Sequence, residues 1–398
     1  MPALPANSEF FGQRSPQAVL KHGVLVRYAY YFAGRAGAAT GGRVAFIDGY
    51  AGAGRYDDGT PGSPLLLASQ AERARLLGRD IVLAFVEPDR PRREKLRQSL
   101  AEQGIDADQL LGEPFEDVAE TLLERYRNRA VLMFIDPFGL AVPRSTLEAV
   151  LQRSSAGTPV DVLYHFSLST VARMGAAATA DGAHAERNAD HLSQALGSVG
   201  WEEAFEAVEA PGAPTSAALD VAQRFGASVR AATDVRSTAI EVRQRPDQLP
   251  KYLLMLFSRN DRAHWDFADQ AGSAYVDWLH HCDRADYEAN LRRNEDEGRL
   301  PLPPEPAPDR EDLEERLGRH AEHYLIGHLA DIVRGTGAVC PIDQLEEVYG
   351  AMLGRARATH VRAAFKRLHA EGRTDDDATG EFWWRTIRWT GEGAGAGA

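Results

Sequence analysis

The chain has 398 residues, 44% of them hydrophobic and 26% charged, with a formal charge of −13. That apolar content suits a large core and two domains, while the acidic balance excludes a generic nucleic-acid coat and leaves room only for a local basic patch. Cys282 and Cys340 are too few and too scattered for a disulfide framework or a cysteine-built metal site, so no metal is expected.

From the amino terminus, MPALPANSEFFGQRS has no basic start leading into an apolar stretch, and no later run approaches the roughly 18 apolar residues of a membrane span. A cytoplasmic protein without membrane association is the expectation. SPQAVLKHGVLVRYAYYFAGRAG then opens with a capping serine and a proline at the first helical position, and its apolar residues recur at helical spacing. Apolar and amphipathic runs alternate after it: strand 44–49, a helix from Ser63, strand 81–87, helix 90–103, a short strand near Gln109 to Gly112, helix 114–127, strand 130–136, helix 143–152 and strand 160–167. Such alternation signals crossover units and a parallel sheet. Residues 181–232 are Ala-rich and read as an inserted helical cap broken by PGAP at Pro211 to Pro214. STAIEVRQ and YLLMLFSRN follow, joined by a loop too short for a crossover helix, so they must pair antiparallel. A parallel sheet ending in an antiparallel pair is the arrangement of class I methyltransferases.

Closely spaced prolines in LPLPPEPAPD hold extended backbone and mark a linker. Beyond it, three helical patterns and the aromatic stretch EFWWRTIRW, which suits a short hairpin, suggest a winged helix. Its third helix carries Arg362, Lys366 and Arg367, which would meet phosphates in a nucleic-acid reader or solvate an outer face in a protein-binding one. The expected organisation is a lead helix in 1–40, a Rossmann-like methyltransferase domain in 41–285 with the 181–232 insertion, a Pro-rich linker in 286–310, a winged-helix-like domain in 311–390 and a disordered tail, GEGAGAGA, in 391–398.

Three of the strands end in acid. VAFIDGYAGAGRY, VLAFVEPD and VLMFIDPFGL deliver Asp48, Glu87 and Asp136 to the end of a parallel sheet where ligands bind. A pyrophosphate fingerprint needs GxGxxG with the helix starting at the second glycine. Here Gly52 and Gly54 are followed by Arg55, Tyr56 and Asp57, and the helix waits until Ser63. S-adenosylmethionine has no phosphate. It needs a close backbone approach for its amino-acid part and an acceptor for its ammonium, which Asp48, Gly49, Ala51, Gly52 and Gly54 offer, and a carboxylate for its ribose diol, which Glu87 offers. Glu87 would also repel a 2′-phosphate. Glu113, past the short third strand, stands where an adenine amino group could be met, or where it would cap the next helix.

DPFG, Asp136 to Gly139, is the candidate reaction centre. An activated methyl needs an acceptor that is aligned and relieved of a proton. Asp136 and the Pro137 carbonyl could accept the hydrogens of an exocyclic amine, with the Phe138 ring stacking on a planar base. Alternatively, Asp136 caps a turn and Phe138 is core. His165 and Ser167 end the fifth strand and either line the same cleft or belong to the core.

Taken in order, KHGVLVRY, FIDGYAGAGRY, GTPGSPLL, FVEPD and FIDPFGL resemble the three-Cys-motif partner proteins (TcmP), methyltransferase-like proteins encoded beside three-cysteine-motif proteins. The resemblance is strongest from Lys21 to about Gly139. It implies a Rossmann-like methyltransferase fold, S-adenosylmethionine as cofactor, a protein partner carrying the cysteines this chain lacks, and Lys21 and His22 at the cofactor rim. DPFG departs from the DPPY or NPPY pattern of amino-methyltransferases, with its aromatic one place early, which leaves the acceptor open between nucleobase, nucleoside and nucleic acid. A non-catalytic accessory module supporting a three-cysteine-motif enzyme is the alternative.

Overall fold

Runs such as AVLMFI, buried at every position, are stable only inside a sheet covered on both faces, and this governs the architecture of the computed structural model. It describes residues 15–137, 139–140, 142–153, 158–179, 184–206, 213–296 and 308–391. By internal contacts the chain divides into two units, Leu25–Asn260 and a second made of Met1–Val24 with Asp261–Ala398. Helix α1, Pro16–Ala39, contributes to both.

In the first unit, β1 (Arg43–Asp48), α2 (Ser63–Arg75), β2 (Asp80–Val86), α3 (Arg90–Glu102), β3 (Gln109–Leu111), α4 (Phe115–Arg125), β4 (Ala130–Ile135), α5 (Arg144–Gln152) and β5 (Val160–Phe166) alternate as the sequence pattern predicts. Four helices follow: α6 (Leu168–Ala178), α7 (Ala185–Leu196), α8 (Trp201–Glu206) and α9 (Ala213–Thr233). The strands β6 (Arg236–Val242) and β7 (Tyr252–Ser258) close the unit. The sheet order is β3-β2-β1-β4-β5-β7-β6, with β7 antiparallel to both neighbours and the other six strands parallel to one another. This is the mostly parallel α/β sheet with a terminal antiparallel pair that the sequence led us to expect.

Alternation along the strands separates two faces. Ala45, Ile47, Ala84, Val86, Met133, Ile135, Val162, Tyr164 and Phe166 share one hydrophobic cluster with Leu192, Leu196, Trp201, Phe205 and Phe225. The helices read as an inserted cap therefore pack their apolar stripes into the same core as the sheet. The other face includes Asp161, buried on β5. Its carboxylate accepts the Tyr28 hydroxyl at 2.6 Å and the Ser258 hydroxyl at 2.5 Å, which ties α1 and β7 to the sheet.

Burial pushes the Asp161 carboxyl above its usual range, and the two hydroxyl donors only partly offset this. The folded chain thus holds this proton at pH values where the unfolded chain has released it. The group's contribution to stability is therefore present at low pH and lost as pH rises through the raised value. Urea midpoints followed from about pH 4 to about pH 8 are expected to fall with pH more steeply for wild type than for Asp161→Asn. A steeper fall in the variant would contradict this.

In the second unit α10 (Asp261–Asp296) runs without a break. Residues 286–296, expected as linker, are helical, because DYEANLRRNED contains neither proline nor glycine. Most of the proline-rich stretch (residues 297–307) and residues 392–398 of the tail lie outside the described residues. Helices α11 (Arg310–Thr336), α12 (Leu345–Tyr349) and α13 (Ala358–Ala370) follow, and β8 (Ala338–Val339) pairs antiparallel with β9 (Ile387–Arg388). EFWW, expected within a hairpin, instead contains a 3-10 turn at Phe382–Trp384. Phe382 and Trp383 are both buried against Trp265, and consecutive inward side chains do not suit the alternation of a strand.

Candidate functional site

The strand order reverses between β1 and β4. β1 leads outward to β2 and β4 to β5, so the loops at their carboxyl ends diverge, and in an open α/β sheet this is where a ligand crevice forms. Asp48 is the last residue of β1 and is in register with Phe85 of β2 and Phe134 of β4. Glu87 and Asp136 lie two residues beyond those partners. All three carboxylates therefore belong by alternation to one face of the sheet, the face opposite the large cluster. Phe134 is in register with Leu163 of β5, which adds His165 to the same row.

Each member is held differently. Asp48 is fully buried, and its Oδ1 accepts the Tyr50 amide at 3.1 Å, so it braces the loop from below. Glu87 is 4% exposed, and its Oε1 accepts the Asp89 amide at 2.9 Å, which fixes the orientation of the carboxylate. Asp89 in turn caps α3 through the Arg92 amide. Asp136 is half-buried directly after β4, its Oδ1 2.9 Å from His165 Nδ1. Pro137 is buried beside it. Phe138, expected to stack on an acceptor, lies outside the described residues.

The loop after β1 is tied to its neighbours by backbone bonds. The Gly49 amide reaches the Phe134 carbonyl at 2.9 Å, the Ala51 amide reaches Val86 at 3.0 Å, and the Gly62 amide reaches Gly54 at 2.7 Å. Its glycines do different work. A Cβ at Gly49 would sit 2.7 Å from the Phe115 ring, and one at Gly54 would sit 2.9 Å from Leu96. Gly52 has φ of +64° and no atom within 4 Å of its missing Cβ, so its backbone is open to a ligand.

Glu113 is exposed and accepts the Gly112 amide at 3.0 Å. It does not cap α4, whose first turn follows Pro114. Lys21 lies half-buried on the part of α1 that belongs to the second unit. Ser167 caps α6 by accepting the Thr170 amide at 3.3 Å.

The structure adds two residues the sequence did not single out. Arg93 donates to the carbonyls of Glu87 and Pro88 at 2.7 and 3.0 Å, and its guanidinium occupies the space where a Gly112 side chain would be. It thereby clips the ends of β2 and β3 together. Tyr50 packs against Phe115 with centroids 5.8 Å apart, and burial pushes the pKa of its hydroxyl above the usual range. Arg93 sits in a basic helix without distinguishing pattern, whereas Tyr50 was visible as an aromatic among the small residues directly after β1.

A cavity of about 220 Å³ lined by Leu123, Tyr126, Arg127, Val131, Arg153 and Val160 lies at the opposite, amino-terminal edge of the sheet. Its arginines are paired, Arg127 with Glu124 and Arg153 with Glu120. It has none of the convergent carboxylates of the crevice. Among the described residues no cluster of His, Cys, Asp and Glu could hold a metal ion, and no helix is long and apolar enough to cross a membrane.

No family model and no curated protein matches the chain. Among solved structures it is similar to the plantazolicin methyltransferase BamL in complex with a triazolic desmethylPZN analog and SAH, at 13% identity over 62% of this chain and 85% of that one, with a TM-score of 0.29. It is also similar to a protein from work on the conversion of a disulfide bond into a thioacetal group during echinomycin biosynthesis, at 14% identity over 58% and 81%, with a TM-score of 0.27. The reading of the crevice stands on its own geometry.

Proposed function

We propose that the chain is an S-adenosylmethionine-dependent methyltransferase that methylates a nitrogen of a nucleobase, nucleoside or nucleic acid. The observation that carries this reading is the placing of three carboxylates, Asp48, Glu87 and Asp136, at the carboxyl ends of neighbouring strands and on one face of the sheet, at the reversal of strand order. Glu87, anchored through Asp89, suits a ribose diol and opposes a phosphate in its place. Gly52 lets the backbone approach the amino-acid end, and Asp48 braces the loop that carries it. The helix after the loop starts only at Ser63, nine residues beyond Gly54, so the anion-binding amides a dinucleotide requires do not follow its glycines. S-adenosylmethionine, when bound, would supply an electrophilic methyl group with sulfur as its leaving atom. Asp136 would accept the proton that the acceptor loses.

A second reading, with the chain as an accessory module to a three-cysteine-motif partner, is favoured by the second unit. Its order of helix, short strand, two helices and a closing strand paired with the first supports a winged-helix-like reading. Two of the three basic residues singled out on α13 are engaged within the unit. Arg362 donates to the carbonyls of Ala378 and Gly380 at 2.8 and 2.9 Å, Arg367 pairs with Glu371, and the following turn carries Asp375, Asp376 and Asp377. A protein surface fits this unit better than a nucleic acid.

Mass spectrometry of small molecules carried through purification tests the first reading. S-adenosylmethionine or S-adenosylhomocysteine is expected, and recovery of a dinucleotide in their place would contradict it.

A further inference from the structure

Three other histidines have backbone partners: His328 Nε2 lies 2.7 Å from the Glu347 oxygen, His369 Nδ1 lies 2.9 Å from that of Thr374, and His360 Nδ1 accepts the Arg357 amide at 3.1 Å. His165 does not. It is mostly buried, with its side chain 14% exposed, and neither ring nitrogen has an aligned hydrogen bond among the described residues. Its Nδ1 nevertheless lies 2.9 Å from Asp136 Oδ1. The ring is held edge-on to Tyr252, with centroids 4.1 Å apart and planes at 86°. Tyr252 begins β7, which runs antiparallel, so it stands at the same carboxyl edge as Asp136. A buried imidazole without aligned partners costs stability, and this one is held beside the carboxylate at the carboxyl end of β4.

We infer that His165 is a positioning residue that holds Asp136 through Nδ1, in the orientation that meets the transferring methyl and takes the acceptor's proton. The inference rests on the methyltransferase reading and assigns within it an acceptor that has a proton to lose. Asp136 is the group that touches the reacting atoms, and His165 acts through it.

The test needs no knowledge of the acceptor. Calorimetry compares S-adenosylhomocysteine with the S-adenosylmethionine analogue in which an amino-bearing carbon replaces the methylated sulfonium. That amine is cationic and stands where the methyl would be, so a correctly held Asp136 carboxylate favours it. Wild type is expected to prefer the amino analogue by about tenfold or more, the scale of a charge-assisted hydrogen bond. His165→Asn places an amide where Nδ1 was and keeps the preference. His165→Gln places it nearer Nε2 and loses the preference, while affinity for S-adenosylhomocysteine is unchanged in both. Any other pattern of preference overturns the role of His165. If wild type fails to bind S-adenosylhomocysteine at all, the methyltransferase reading itself fails.

Discussion

Asp136→Ala lowers methyl transfer on the order of 100-fold to 10,000-fold, the range of a lost general base, and leaves S-adenosylhomocysteine affinity within about threefold of wild type. The split follows from position. Asp136 follows β4 on the acceptor side of the strand-order reversal, whereas Glu87 and the glycine loop belong to β2 and β1. Removing Asp136 takes away the group that receives the proton and leaves the residues assigned to the cofactor in place. Transfer of label from methyl-labelled S-adenosylmethionine into a deproteinised extract measures it. Full-rate labelling by the variant would remove Asp136 from the mechanism.

Alanine at Gly52 and at Gly54 should fail in opposite ways. Both glycines adopt the left-handed conformation, with φ of +64° and +80°, so each substitution costs roughly 1–2 kcal/mol of backbone strain. At Gly54 the new methyl also meets Leu96 at 2.9 Å and Ser99 at 3.3 Å, adding roughly 1–3 kcal/mol of overpacking. At Gly52 it meets nothing in the protein. Gly54→Ala is therefore expected to lower the thermal midpoint clearly further than Gly52→Ala. Gly52→Ala should weaken cofactor binding by at least about tenfold, because its methyl enters the space the ligand's backbone approach requires. Equal losses of stability in the two variants, or unimpaired binding by Gly52→Ala, would show that the open side of the loop is not the cofactor's.

The strands with acidic ends were legible because a buried parallel strand is written as a continuous apolar run, and Asp48, Glu87 and Asp136 interrupt theirs at the carboxyl ends. The β6–β7 pairing followed from a loop too short for a helix. What the sequence did not reveal depends on long-range register. His165 is an ordinary strand histidine until β5 is aligned with β4, which sets it beside Asp136. Arg93 is one of several arginines in α3 until Gly112 leaves room for it. The basic residues of α13 suggested phosphate contacts, yet Arg362 is committed to the Ala378 and Gly380 carbonyls and to the Phe382 ring, 4.9 Å away. Local charge gave no sign of those carbonyl partners, which lie 16 and 18 residues further along the chain.

The central claim is that an acidic row at the carboxyl edge of the sheet recognises an adenosyl group with an amino-acid tail. Calorimetric titration of wild type and Glu87→Ala with S-adenosylhomocysteine tests it most directly. The prediction is saturable binding by wild type and a loss of roughly tenfold to a hundredfold in the variant, the scale of hydrogen bonds to a charged acceptor. No binding by wild type, or equal binding by both proteins, would contradict it.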